Sequence, residues 1–179
     1  SLYSAEPTLL LGDDPSESNL HQLNMLDYSI IAFATHGILG TDLARDASLV
    51  LSSPHQFSID DDGLLTTAEI SLLDIAAEIV ILSACNTATV SESNGLNSIA
   101  SSFMLAGAGS VLASHWSIEV NATTELLSSF ARVKNKNPEI ELSKVLKLAR
   151  QEMVRENQNI VVSHPMFWGA FTIKGTSVN

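Results

Sequence analysis

The chain has 179 residues, 45% of them apolar, which suits one domain with a full core and not a disordered chain. Residues 1–78 hold 13 Asp and Glu against one Arg, residues 79–179 hold 7 against 8 basic residues, and the net charge is -11; no Lys/Arg cluster supports nucleic-acid binding. No apolar run approaches the roughly 18 residues of a membrane span, no basic patch precedes the first apolar residues as in a signal peptide, and the single cysteine excludes an internal disulfide and suits a reducing, cytoplasmic setting.

Thr8-Leu9-Leu10-Leu11 suits a short strand ahead of the Gly12-Asp13-Asp14-Pro15 turn. Leu20, Leu23 and Leu26 give near-helical spacing over residues 16–26. Residues 28–33 read as a strand that runs into Ala34-Thr35-His36-Gly37, so a histidine stands at its carboxyl end. A short strand is expected at Ser48 to Leu51, then a second around Phe57 and Ile59 with a hairpin-like turn at Asp60-Asp61-Asp62-Gly63. Thr66 and Glu69 have the spacing of a capping box for a short helix ending near Leu73. Ile79-Val80-Ile81-Leu82 has no polar interruption and reads as a strand buried on both faces. Ser83-Ala84-Cys85 breaks that run.

Beyond the loop 86–93, Leu96, Ile99, Ala100, Phe103 and Met104 form the apolar stripe of a helix over about 94–105, ended by Gly107 and Gly109. Residues 110–114 are a third buried strand, with His115-Trp116 at its end. Apolar periodicity marks helices over 121–133 and 142–153, and Phe167 to Ile173 reads as the last strand. Strands alternating with helices imply an α/β domain with a mostly parallel sheet.

His36 and Cys85 both follow buried strands, and parallel strands would deliver both to one edge of the sheet. A thiol needs a base or a positive neighbour to act as a nucleophile near neutral pH. Gly37 would let a substrate backbone approach, and its N–H, with that of Cys85, would hold an oxyanion. Against this stand plainer readings, a lone cysteine as a small core hydrophobe and a histidine packed at a strand end. His115 is a rival base and Trp116 a cleft wall or core cap. His164, before Pro165, reads as a turn residue. Asp60, Asp61 and Asp62 lack the alternation of a calcium loop and read as a solvated turn. Zinc on His36, Cys85 and His115 would need ligands from three distant loops. No phosphate-binding glycine motif and no GxSxG elbow occurs, so no cofactor is expected.

Taken together, Ala34-Thr35-His36-Gly37, Asp62-Gly63-Leu64-Leu65-Thr66, Val80 to Thr87, Phe103 to Ala108, Ser110 to Ser114 with Trp116, and His164-Pro165 with Phe167 to Phe171 resemble the CHAT domain. That family belongs to the caspase–separase–gingipain group of cysteine peptidases. The resemblance covers about residues 8–175 and implies a caspase-like three-layer sandwich, a mostly parallel central sheet flanked by helices. It makes residues 1–179 one such domain, the C-terminal portion of a larger protein, often behind regulatory helical repeats. It assigns His36 as catalytic base, Cys85 as nucleophile and Gly37 as an oxyanion donor. It implies a protein or peptide substrate. With one basic residue before Cys85 and many acidic ones, basic P1 is expected, with Asp62 and Trp116 as guesses for the pocket. The chain departs from many relatives in having Ile31-Ala32-Phe33 ahead of the His-Gly, and no glycine after Cys85 until Gly95. The N-terminal part of the family domain is expected to be missing, which would expose a sheet edge and promote pairing. The alternative is a caspase-like interaction module without catalysis.

Overall fold

The computed structural model describes residues 7–38, 46–53, 61–83, 99–116, 118–156 and 164–175. In chain order these form α1 (Glu17–Gln22), a 3₁₀ turn (Met25–Asp27), β1 (Ile30–Phe33), β2 (Gly37–Ile38), β3 (Ser48–Val50), β4 (Leu64–Thr66), α2 (Thr67–Ser71) and β5 (Ile79–Leu82). There follow α3 (Ile99–Leu105), β6 (Ser110–Ser114), α4 (Val120–Lys136), α5 (Leu142–Glu156), α6 (Pro165–Trp168) and β7 (Phe171–Gly175).

Sheet order is β1-β5-β6-β7, with β5 parallel to both neighbours and β7 antiparallel to β6. The result is an α/β fold with a mixed, mostly parallel sheet. The alternation of strand side chains explains why the apolar run of β5 is uninterrupted. Val80 and Leu82 join Phe33, Val111 and Ala113 in one core with Ile70 and Phe103 from α2 and α3. Ile79, with Leu112 and Phe171, joins the other, built on Leu126 and Phe130 of α4 and Val145 and Ala149 of α5. Successive residues serve opposite faces because the side-chain period of a strand is two. Phe33 and Phe103 meet with ring centroids 5.2 Å apart.

A smaller antiparallel sheet, β2-β3-β4, hangs on the carboxyl end of β1. The capping box at Thr66 is present: its hydroxyl accepts the Glu69 N–H and the Glu69 carboxylate accepts the Thr66 N–H.

Three expectations are corrected. Thr8 to Leu11 forms no strand, because its backbone meets no ladder partner among the described residues. The helix expected over 16–26 is a short α1 followed by a 3₁₀ turn, since Leu23 already has extended backbone. Phe167 and Trp168 belong to a helix, and the last strand begins only at Phe171. Pro165 at the first helical position and the His164 ring accepting the Met166 N–H (3.2 Å) start that helix. The expected strand near Phe57 and Ile59 lies outside the described residues, and β4 is the strand that pairs with β3. Among the described residues, no helix is long and apolar enough to cross a membrane.

Candidate active site

β1 and β5 are adjacent and parallel, and Phe33 and Leu82 are register partners at their carboxyl ends. The ladder extends one residue further, the Ser83 N–H donating to the Phe33 carbonyl at 2.9 Å. His36 comes three residues after Phe33 and Cys85 three residues after Leu82. The two strands that lead to these residues therefore end level at one sheet edge. His36 is exposed there. Cys85 lies outside the described residues.

The His36 segment is anchored from both sides by β3. The Thr35 hydroxyl donates to the Val50 carbonyl, and the Val50 N–H donates to the His36 carbonyl at 2.8 Å. This last bond fixes the type of the neighbouring pair. Gly37 and Leu49 sit opposite each other in the antiparallel ladder. Since the residues flanking them exchange the hydrogen bonds, they form a non-hydrogen-bonded pair. The N–H of Gly37 therefore points away from β3, out of the edge of β2 that has no strand partner among the described residues. A donor in that position is not consumed by the sheet.

Asp62 lies beyond β3, just before β4, whose Leu64 is level with Val50. Its carboxylate accepts the Leu64 N–H at 2.8 Å, closing the turn. Its own N–H and that of Gly63 donate to the carboxylate of Glu17, at 2.8 and 3.0 Å. Asp61 accepts the Ser18 hydroxyl and is buried, so the acidic turn is partly internal and not simply solvated. Trp116 stands past the end of β6, 40% exposed, its indole N–H donating to the Met166 carbonyl at 2.9 Å. The His115 ring is 3.1 Å from the Thr172 hydroxyl, a contact that ties β6 to β7. No group of three His, Cys, Asp or Glu that could hold a metal occurs among the described residues.

Sequence reasoning missed Thr35 and Glu17. Thr35 carried a signal only as the residue before His36. Glu17 is 1% exposed although it stands in the first turn of a short helix, where acidic residues are ordinarily solvated. Burial raises its carboxyl above the usual range, opposed by the N–H groups of Gly63 and Asp62 and reinforced by nearby Glu69 and Asp62. A carboxyl with a raised folded pKa binds its proton more tightly in the native state. The stability it contributes is fully present below its unfolded pKa and is lost as pH rises through the folded value. Glu17→Gln is therefore expected to flatten this decline. Thermal melts of both proteins from mildly acidic to neutral pH should converge at low pH and separate, with the variant favoured, as pH rises. Parallel melting curves across that range would contradict this account.

A family model described as the CHAT domain matches residues 2–176, nearly the whole chain. No match to a curated protein was found.

Proposed function

Because this chain belongs to the CHAT-domain family, within the caspase-like cysteine-peptidase clan, we propose that it hydrolyses peptide bonds with a His36–Cys85 dyad. One observation carries this reading beyond family membership. The strands preceding the two residues are neighbours, run in parallel and end in register, with equal offsets to His36 and Cys85. The fold read in this way is the caspase-like sandwich, with α1 to α3 and the small sheet on one face and α4 and α5 on the other.

In the proposed reaction His36 takes the thiol proton and the Cys85 sulfur attacks the scissile carbonyl carbon. The carbonyl oxygen becomes an oxyanion, held by the outward N–H of Gly37 and the N–H of Cys85. As the tetrahedral species collapses, the C–N bond breaks and His36 returns its proton to the leaving amine. Water, deprotonated by His36, then attacks the thioester, and cleavage of the C–S bond releases the acid and restores the thiol. The abundance of carboxylates, Asp62 among them, favours basic P1 side chains; Trp116 is the proposed pocket wall. A P1 peptide library checks that part, and uniform preference for Asp would sink it.

Labelling by an electrophilic peptide tests the dyad directly. Mass spectrometry should find the adduct on Cys85. His36→Ala should slow its formation by about 10²-fold or more, the share a positioned base contributes. Equal labelling rates in both proteins would remove His36 from the mechanism.

A further inference from the structure

Among the described residues the main sheet stops at β1, whose outer edge faces a cavity of about 670 Å³. The polarity of that edge follows from the inner pairing. The carbonyls of Ser29 and Phe33 accept from Ile79 and Ser83, so the odd-numbered residues turn their backbone groups toward β5. Ile30 and Ala32 accordingly turn their N–H and C=O groups outward, toward the cavity. Both are exposed, and among the described residues β1 has no strand on that side.

The opposite wall is Thr8 to Gly12. Its direction is fixed at both ends. The Thr8 hydroxyl is 2.8 Å from the Tyr28 hydroxyl, beside the start of β1. Ser52 bonds the carbonyls of Asp13 and Pro15, while Val50, two residues earlier, is bonded to Thr35 and His36 past the end of β1. Thr8 to Gly12 thus runs alongside β1 in the same sense, with the cavity between them. Leu9 and Leu11 are each 67% exposed, in a segment whose composition suits a strand. Leu20, Leu23 and Met25 also line the cavity. One added strand takes up a width of about 4.8 Å on each side of its axis.

We propose that this slot binds one extended peptide segment, which enters as an additional strand beside β1. The unmet requirement is a row of alternating backbone donors and acceptors continuous with the β1-β5-β6-β7 ladder, which a strand supplies and a small apolar ligand does not. Alternate apolar side chains of the segment fill the cavity. Exposed Asp27 before β1, and Asp13 and Asp14 after the opposite wall, place negative charge at both ends of the slot. Lysines at the two ends of the segment complement them. The inference is independent of the peptidase reading, although β1 is the strand that leads to His36.

The test uses the full chain and a fluorescein-labelled peptide, Lys-Val-Thr-Val-Thr-Val-Lys. Anisotropy should show saturable binding, and amide exchange at Ile30 and Ala32 should slow at least tenfold. Exchange at Ile31 and Phe33, already in the ladder, should change little. A backbone N-methylated peptide with the same side chains should not bind. Ala32→Pro deletes an outward N–H while sparing the inner ladder, as an edge position allows. It should weaken binding tenfold or more with an unchanged melting temperature, and Leu9→Glu on the other wall should do the same if the proline variant does not fold. The proposal is overturned by the absence of saturable binding, by equal binding of the N-methylated peptide, or by slow exchange at Ile30 and Ala32 without peptide.

Discussion

Cys85→Ala is expected to lower the rate of peptide cleavage by roughly 10⁴-fold or more, with no change in the melting temperature beyond a few degrees. The size follows from the proposed chemistry. Without sulfur there is no thioester, and the two easier steps revert to direct attack by water. The residual rate would come from the outward N–H of Gly37 and from binding alone. His36 keeps its anchors to β3 in this variant, so a loss of rate reports on the nucleophile and not on collapse of the edge. Equal cleavage by both proteins would place the activity elsewhere. No cleavage by either, with partner binding retained in both, would instead establish the non-catalytic interaction module.

Gly107→Ala is expected to destabilise the fold by about 3–5 kcal/mol, among the larger effects of a single substitution. Gly107 follows α3 with φ of 108°, a conformation disfavoured for residues with a Cβ, which by itself costs about 1–3 kcal/mol. A Cβ there would stand 2.3 Å from the Ile75 carbonyl oxygen, a backbone atom that does not swing aside. The Ile75 N–H is in turn bonded to the Ala106 carbonyl at 3.0 Å, so the turn and the segment before β5 are locked together. For a chain of this size the loss corresponds to a fall in melting temperature of about 10 °C. Far-UV melts of the two proteins check it; a shift of under 2 °C would show that the turn relaxes at little cost.

The other expectations turn on distance along the chain. The strand at residues 79–82, the capping box at Thr66 and the turn at Gly107 after α3 were legible because periodicity, capping and positive φ are local properties. So was the assignment of His36 to a strand end, since the apolar run 30–33 stops just before it. At Phe167-Trp168 two local signals conflict. The apolar run at Phe167-Trp168 suggested a strand, but Pro165 and the His164 cap specify a helical turn, and Gly169 ends it.

Other features had no local signature. The last strand runs antiparallel, and Glu17 is buried beneath a turn 46 residues away. The Gly37 N–H faces outward only because Val50 bonds the residue beside it. The slot beside β1 arises because tertiary bonds hold Thr8 and Asp13 at its two ends. By itself the sequence determined the core strands and long helices, the histidine at the end of β1 and the family. The tertiary structure alone decided which backbone edges are paired and which stay open, because a hydrogen-bond partner is chosen by packing across the fold and not by the residues on either side.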